Sequence, residues 1–405
     1  MPGDRGHRWV LLAGVWLIYF CFGVMIAAMA PLVAPIREDL GIENTSMGII
    51  LGAWPLMYIL AAVPCGILLD RFGERRVLLA ATLIMAASGV ARGLADSPEA
   101  LFLAVALFGA GGPMISIGAP KLIAQNFQGP DRGTAMGLYI TGPSLGGIAA
   151  LSLTNSVMMP VTGQDWRLVL FLYSGLVAAS GLVWLAISLR GGSLQGGRSA
   201  EGTEKFTFSA FAALLRVAEV RVILATSIGI FFVNHALNNW LPELLRSRGM
   251  DAAEAGYWAS VPTVVGIAGS MIIPRLATPD RRLAIMTLLF CAAVLASLLL
   301  QANPGIALTA GLVLQGIARS SMMTIAILLL METPRVPKER LGLAGGLFFT
   351  TAEIGGVLGP VTFGFLSDVT QDFTASLAAV TLAGLGLLVL VGLLKRVRAP
   401  LAPES

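Results

Sequence analysis

The sequence predicts an all-α membrane protein whose twelve transmembrane helices form two pseudo-symmetric six-helix bundles. Of its 405 residues, 56% are hydrophobic and only 12% are charged, whereas soluble domains carry about 25% charged residues. A soluble fold could not bury that much apolar surface, so lipid must surround most of the chain. Two further observations support this fold class: twelve apolar segments long enough to cross a bilayer, and an uneven distribution of Lys and Arg.

The twelve apolar segments each approach or exceed the length of about 20 residues that a helix needs to span a membrane. The first has a basic, signal-like start, but its apolar run exceeds that of a signal peptide, so we expect a retained helix. The approximate limits are residues 9–34, 46–69, 76–95, 100–127, 133–158, 167–189, 219–245, 253–276, 282–301, 304–331, 341–366 and 373–394.

The Lys and Arg residues indicate the orientation of the helices. If both termini lie in the cytoplasm, 20 Lys and Arg residues fall at cytoplasmic ends of the segments and 5 at outer ends. Basic residues are retained on the cytoplasmic side of membrane proteins. We therefore expect a multi-pass protein of the plasma membrane (the inner membrane of a bacterium) with both termini in the cytoplasm.

One long polar stretch, residues 190–218, is rich in Gly and Ser and divides the twelve segments into two sets of six. It predicts a first bundle over residues 1–189, a cytoplasmic linker over 190–218 and a second bundle over 219–405. Within this linker, the stretch Phe206 to Phe211 combines apolar and charged character, which is typical of a short helix on the membrane surface.

The two halves of the chain are similar in their fifth segments. Leu138-Tyr-Ile-Thr141 precedes Gly146-Gly147, and Leu347-Phe-Phe-Thr350 precedes Gly355-Gly356, with a constant offset of 209 residues. Parallel repeats related by an axis along the membrane normal occur in transporters. The similarity supports the prediction of two related bundles.

A charged turn separates the second and third segments: Gly66-Ile-Leu-Leu-Asp70-Arg71-Phe-Gly73-Glu-Arg75-Arg76. Hydrocarbon cannot solvate these charges, so the turn must lie at a membrane face. The pattern G-x-L-x-D-R-x-G-x-R-R resembles the signature loop of the major facilitator superfamily. The resemblance implies a secondary transporter in which Gly66, Asp70, Arg71, Gly73 and Arg75 serve conformational gating. A plain positively charged cytoplasmic loop is the alternative.

The fifth segment contains Gly142-Pro143-Ser-Leu-Gly146-Gly147. This sequence resembles an element common in antiporters of the same superfamily, which implies that Gly142 and Pro143 also take part in gating. Small residues equally allow two helices to pack closely in a membrane, and packing alone remains an alternative interpretation.

Two ionisable residues lie deep in apolar segments of the second half. Arg319 is about 15 residues from the start of the tenth segment, which at 1.5 Å per residue is over 20 Å of helix, and Glu353 lies near the middle of the eleventh. A buried ionisable residue in a membrane helix is a functional-site hypothesis by default. We expect Arg319 to bind an anionic substrate group and Glu353 to carry a coupling proton. A structural ion pair between them is the alternative.

The seventh segment carries four polar side chains within a short apolar stretch: Asn234, His235, Asn238 and Asn239. Helical spacing places Asn234 and Asn238 on one face and His235 and Asn239 on the adjacent face. A lone histidine is usually structural, but this cluster favours contact with a substrate. His235 titrates near physiological pH and is a second candidate for proton coupling.

Three other residues are candidate contacts for the substrate. Lys121 lies on the fourth segment, which in the superfamily lines the central cavity, although its side chain is close enough to the cytoplasmic end to snorkel. Tyr19 and Tyr139 are aromatic residues of the first and fifth segments that could wall the cavity or serve only packing.

Two short stretches suggest a branch of the superfamily. Pro120-Lys-Leu-Ile, continued by Arg132-Gly-Thr-Ala-Met-Gly137, and the later Asn239-Trp-Leu-Pro242 are similar to the cyanate permease and 2-nitroimidazole transporter branch. This resemblance implies a small solute that is anionic or has a compact polar head.

The sequence therefore predicts a secondary active transporter that moves a small anionic solute, by proton symport and alternating access, through a site near the bilayer midplane. A proton-driven exporter of drugs or metabolites and a non-transporting membrane receptor are the alternatives. No nucleophile–base pair or metal-ligand spacing indicates an enzyme or a metal site, so we expect no catalytic residue and no cofactor. The expected partners are the solute, a proton and the lipid bilayer, without nucleic acid, and we expect a monomer.

Overall fold

A computed structural model describes residues 3–190, 208–337 and 340–398. Within these ranges, twelve helical stretches are long and apolar enough to cross a membrane, which confirms the predicted fold class. The helices are α1 Gly3–Ala27, α2 Val33–Leu40, α3 Asn44–Phe72, α4 Glu74–Gly93, α5 Pro98–Asn126, α6 Gly129–Tyr139, α7 Thr141–Leu153, α8 Met159–Val161, α9 Trp166–Arg190, α10 Phe208–Arg216, α11 Ala218–Ser247, α12 Ala252–Leu276, α13 Arg282–Leu299, α14 Ile306–Met331, α15 Leu341–Thr370 and α16 Thr374–Arg398.

The first transmembrane stretch is broken, although its hydropathy predicts one helix over residues 9–34. Helix α1 ends at Ala27, a 3₁₀ turn covers Ala30–Leu32, and α2 follows. Pro31 lies in this turn and has no backbone N–H to continue the ladder of helical hydrogen bonds. Gly41, with φ of +61°, then ends α2 in a left-handed conformation that suits glycine.

The fifth transmembrane stretch is also discontinuous. Helices α6 and α7 meet at Ile140, and a π-helical turn over Thr154–Met158 separates α7 from α8. Single π turns within helices are often found at functional sites. This turn presents the side chain of Asn155, whose Nδ2 donates to Pro31 O at 3.1 Å and to Ala252 O at 3.2 Å.

The described residues pack into two compact units. Within the described ranges, the first contains residues 3–190 and 238–260, and the second contains residues 208–237, 261–337 and 340–398. The C-terminal part of α11 and the start of α12 thus belong to the first unit. Most of the predicted linker, residues 191–207, lies outside the described residues. Helix α10 follows at Phe208–Arg216 and begins inside the predicted surface helix.

In the first unit, glycines bring the backbones of α1 and α7 into direct contact. A Cβ atom added at Gly146 would overlap the carbonyl oxygen of Phe20, and one added at Gly23 would overlap Pro143. No residue with a side chain fits at either position without moving the helices apart. The Gly142-Pro143 element thus lies in a closely packed helix contact, and its part in gating stays a prediction.

In the second unit, a glycine likewise brings the backbones of α11 and α15 into close contact. A Cβ atom at Gly355 would overlap the carbonyl oxygen of Ile228, and Gly355 lies 209 residues after Gly146. The core beneath is apolar and includes Phe290, Phe348 and Leu387. The sequence similarity between the halves thus corresponds to equivalent helix contacts in the two units.

Candidate functional site

The charged turn lies between the end of α3 at Phe72 and the start of α4 at Glu74. Gly73 links them with φ of +78° and ψ of +157°, a conformation that residues with a Cβ atom rarely adopt. The glycine allows Asp70, in the last turn of α3, and Glu74, in the first turn of α4, to approach the same side chain of α5.

That side chain is Lys121. Its Nζ lies 2.8 Å from Asp70 Oδ1 and 3.1 Å from Glu74 Oε1. Gln125, one turn further along α5, donates from Nε2 to Glu74 Oε1 at 3.0 Å. Glu74 is thus a partner of both Lys121 and Gln125. These contacts favour a role for Lys121 in the charge network of the turn over a role in substrate binding.

The other residues of the turn have different surroundings. Arg71 places its guanidinium 5.3 Å from the ring centre of Phe72, and the carbonyl of Arg75 accepts a hydrogen bond from Trp184 Nε1 at 3.0 Å. A Cβ atom at Gly66 would meet no atom within 4 Å. Packing in this structure therefore does not require glycine at position 66.

The aromatic candidates of the first unit lie together. The rings of Tyr19 and Tyr139 pack edge to face with centroids 5.3 Å apart. Beside them, Trp16 Nε1 donates to Thr141 Oγ1 at 3.0 Å, so α1 is attached at the junction between α6 and α7. Both tyrosines are 8% exposed.

The second unit contains a polar cluster formed by α11, α14 and α15. His235 Nε2 and Glu353 Oε2 are 3.9 Å apart, with side chains 13% and 6% exposed. The His235 ring also stacks on Phe231, with centroids 5.5 Å apart. A Cβ atom at Gly356 would lie 2.5 Å from Glu353 Oε2 and 3.1 Å from His235 Nδ1, so this glycine makes room for the pair.

Arg319 completes this cluster from α14. It is partly exposed and close enough to His235 for their charges to interact. Among the ion pairs within the described ranges, none joins Arg319 to Glu353 or to another carboxylate. The structure therefore does not contain the ion pair that was the alternative to a cavity-facing Arg319.

The asparagines of α11 divide between the two units. Asn234 belongs to the second, where its Oδ1 is buried without a hydrogen-bond partner among the described residues. Asn238 and Asn239 belong to the first, and Asn239 is 7% exposed. Of the four polar residues predicted from this segment, Asn234 and His235 thus lie in the same unit as Arg319.

Sequence reasoning did not identify Gln315, which lies one turn before Arg319 on α14. Gln315 is 3% exposed, and neither Oε1 nor Nε2 has a hydrogen-bond partner in the described part of the chain. The spacing of four residues from Arg319 was the available signal, because residues four apart share one face of a helix.

Arg92 is one of the five basic residues counted at outer ends of the segments, and it is only 1% exposed within the first unit. Its Nη1 donates to Met25 O at 3.1 Å, and its guanidinium lies 5.1 Å from the ring centre of Phe108. Met25 lies in the last turn of α1, whose final carbonyls have no partner within the helix. Arg92 therefore stabilises the break after Ala27.

Comparison with known proteins shows sequence similarity to transporters over most of the chain. A probable galactarate/D-glucarate transporter of Escherichia coli is 24% identical, covering 89% of this chain and 88% of that protein. A D-galactonate transporter of Escherichia coli is 24% identical, covering 98% of each chain. A quinolone resistance transporter of Acinetobacter baumannii is 24% identical, covering 84% of this chain and 82% of its own.

The fold is shared with solved transporter structures. A bacterial homologue of the human lysosomal transporter Spinster, in an inward-facing and unoccupied conformation, aligns with a TM-score of 0.77 and 18% identity, covering 96% of this chain and 97% of that one. The sequence profile described as Major Facilitator Superfamily matches residues 15–360. The chain therefore belongs to the major facilitator superfamily, as the charged turn at Gly66–Arg76 predicts.

Proposed function

We propose that this protein is a secondary active transporter of a small organic anion, and that Arg319 binds the anionic group. The observation that carries the proposal is an arginine in the middle of α14 with no carboxylate partner in the described residues. A charge at this depth is costly unless something compensates it. A carboxylate substrate supplies that compensation, because a guanidinium matches a carboxylate with two parallel hydrogen bonds.

We further propose a sugar acid as the solute. Relatives that cover most of the chain carry names of sugar-acid transporters. In the same unit as Arg319, Asn234 has a buried amide oxygen without a hydrogen-bond partner in the described residues, which suits a substrate that bears hydroxyl groups as well as a carboxylate. The predicted contacts from Lys121, Tyr19, Tyr139, Asn238 and Asn239 remain predictions, as does the resemblance to the cyanate permease branch.

The coupling ion in this proposal is a proton carried by Glu353, with His235 as its neighbour. The two side chains are buried and 3.9 Å apart, a distance at which a proton on either group changes the charge felt by the other. A carboxyl group in such a site can lose its charge by taking up a proton. Proton binding and anion binding in one cluster would support symport by alternating access.

An exporter of drugs is the second candidate, since one relative is named a quinolone resistance transporter. The Gly142-Pro143 element, which resembles antiporters, favours it as well. A receptor that binds ligand without transport is the third. The class of ligand separates the exporter of drugs from the anion transporter, and the presence of flux separates the receptor from both.

The proposal predicts that Arg319→Ala abolishes anion binding and uptake while the protein still inserts. Thermal unfolding of purified protein is measured with D-galactonate, galactarate, cyanate, nitrate and the cationic dye ethidium, followed by uptake into proteoliposomes. A ligand at 100 times its dissociation constant stabilises by about 2.7 kcal/mol. The Arg319→Lys variant should bind more weakly than wild type, because an ammonium group does not form the paired contact.

Arg396→Ala is the matched control, since Arg396 is exposed near the end of α16. We expect this substitution to leave anion binding unchanged. Retained uptake of the bound anion by Arg319→Ala would overturn the proposal. Stabilisation by ethidium alone would favour the exporter, and anion binding without uptake would favour the receptor.

A further inference from the structure

Gln315 is a buried amide with nothing to bind among the described residues. Its Oε1 and Nε2 are both inaccessible and without a hydrogen-bond partner, so exchanging the two atoms in the amide would not change this conclusion. Leaving such a group unpaired carries a free-energy cost. The next residue, Gly316, packs against α12, where an added Cβ atom would lie 2.6 Å from Pro262 O, so Gln315 is held in place by this helix contact.

The position of Gln315 relates it to Arg319. Four residues along α14 correspond to about 6 Å of helix and to the same face. A ligand whose carboxylate is bound by Arg319 would therefore extend towards the amide of Gln315 if it had a chain of several atoms. Asn234, which precedes His235 on α11, also has a buried Oδ1 without a partner in the described ranges.

The chemistry of these unpaired atoms restricts the ligand. Oε1 of Gln315 and Oδ1 of Asn234 are hydrogen-bond acceptors, and each needs a donor. Inorganic anions such as nitrate and cyanate, and the carboxylate of any acid, offer only acceptors. A hydroxyl group offers both a donor and an acceptor at one atom, which matches the two ends of the Gln315 amide.

We propose that Gln315 determines specificity by binding a hydroxyl group of the substrate whose carboxylate Arg319 holds. The site then selects hydroxylated carboxylic acids over plain carboxylates and inorganic anions. This inference rests on the proposed function of Arg319, and it adds a selectivity that the charge of Arg319 does not provide. Gln315 and Arg319 act on different parts of one molecule.

The test replaces Gln315 with methionine, which has a similar shape and no amide. D-galactonate and hexanoate serve as probes, because both are six-carbon carboxylates and only the first carries hydroxyl groups. Dissociation constants are measured by thermal unfolding for wild type, Gln315→Met and the control Gln128→Met, which changes an exposed residue. We expect Gln315→Met to weaken galactonate binding roughly 10- to 100-fold and to leave hexanoate binding unchanged.

The ligand-free protein gives a second readout. Removing an unpaired amide from a buried site should leave the melting temperature of Gln315→Met equal to or above that of wild type. An equal loss of affinity for both probes, unchanged selectivity, or a lower melting temperature would show that Gln315 is structural and would overturn the inference. If wild type binds neither probe, or if Arg319→Ala binds galactonate normally, the proposed function itself fails.

Discussion

Lys121 and Arg319 show how the partner of a cation decides its role. Both are basic residues inside apolar segments, and depth in the sequence makes each a candidate for anion binding. The structure surrounds Lys121 with Asp70 and Glu74, and it gives Arg319 no carboxylate partner in the described residues. Pairing between α3, α4 and α5 depends on tertiary contacts, which hydropathy does not report.

Glu353 provides a test of proton coupling at the scale of a residue. Glu353→Gln keeps the size and hydrogen-bonding capacity of the side chain but cannot release a proton. In proteoliposomes, we expect this variant to exchange external labelled galactonate for internal galactonate and to lose accumulation driven by a pH gradient. Binding and exchange persist because Arg319 is intact, whereas accumulation requires the proton.

Glu99→Gln is the control for this experiment, because Glu99 is exposed at the start of α5. We expect this variant to accumulate the solute as wild type does. Accumulation by Glu353→Gln at the wild-type level would assign the coupling proton to another group.

At the scale of the elements, close contacts between helices at glycine residues determine how substitutions affect stability. Gly146 of α7 lies against the backbone of α1, but a Cβ atom at its neighbour Gly147 would meet only the Cβ of Ala27, at 3.9 Å. Replacing glycine by alanine within a helix normally stabilises it by up to about 1 kcal/mol. We expect Gly147→Ala to follow that rule and Gly146→Ala to destabilise the protein by about 1–3 kcal/mol, because the helices must separate.

Melting temperatures of the two variants in the same detergent measure this difference directly. Equal melting temperatures would mean that α1 and α7 do not pack as closely as the structure shows. The equivalent contact of Gly355 with Ile228 makes the second unit subject to the same constraint.

Charged contacts at the predicted cytoplasmic ends of helices recur in the two units with the signs exchanged. In the first, Glu74 at the start of α4 binds Lys121 near the end of α5. In the second, Arg282 at the start of α13 pairs with Glu332 at the end of α14. In each pair one partner is largely buried and the other is partly exposed. The cost of removing the buried partner from water offsets much of the attraction, so we expect these pairs to select the register of neighbouring helices more than they stabilise the fold.

The sequence predicts the helices far better than it predicts the residues of the site. Hydropathy locates all twelve transmembrane stretches because lipid imposes a length and a composition on each one. It overlooks the break at Pro31, where the residues remain apolar, and the π turn at Thr154–Met158, where three polar residues are too few to interrupt a long apolar segment. It also overlooks Gln315, since a single polar residue in a helix acquires meaning only from the partners that it has or lacks.

At the scale of the whole molecule, the assignment of residues 238–260 to the first unit is the informative feature. These residues lie in the second half of the chain, yet they pack with the first. Transport by alternating access requires contacts that form in one state and break in another. The contacts of this segment with α7 and the adjacent π turn are therefore candidates for such a closure on the predicted outer side.

Asn155 is the polar link in these contacts, because it donates to both Pro31 O and Ala252 O. Asn155→Ala removes two hydrogen bonds worth about 0.5–1.5 kcal/mol each, which should favour opening of the outer side. The reporter is a cysteine replacing Ala255, which is 0% exposed, in a protein whose exposed Cys291 is changed to serine. We expect an impermeant maleimide added outside to label this cysteine roughly tenfold faster in Asn155→Ala.

The adjacent Ser156 provides the matched control for this measurement, because its Oγ donates only within its own helix, to Ser152 O. Ser156→Ala should therefore label at the rate of the parent protein. If Asn155→Ala also labels at that rate, the hydrogen bonds of Asn155 do not hold the outer side closed. If Asn155→Ala labels faster than the parent protein and galactonate then slows its labelling, the closure is connected to substrate binding. A ligand shifts a conformational equilibrium only when it binds the two states unequally.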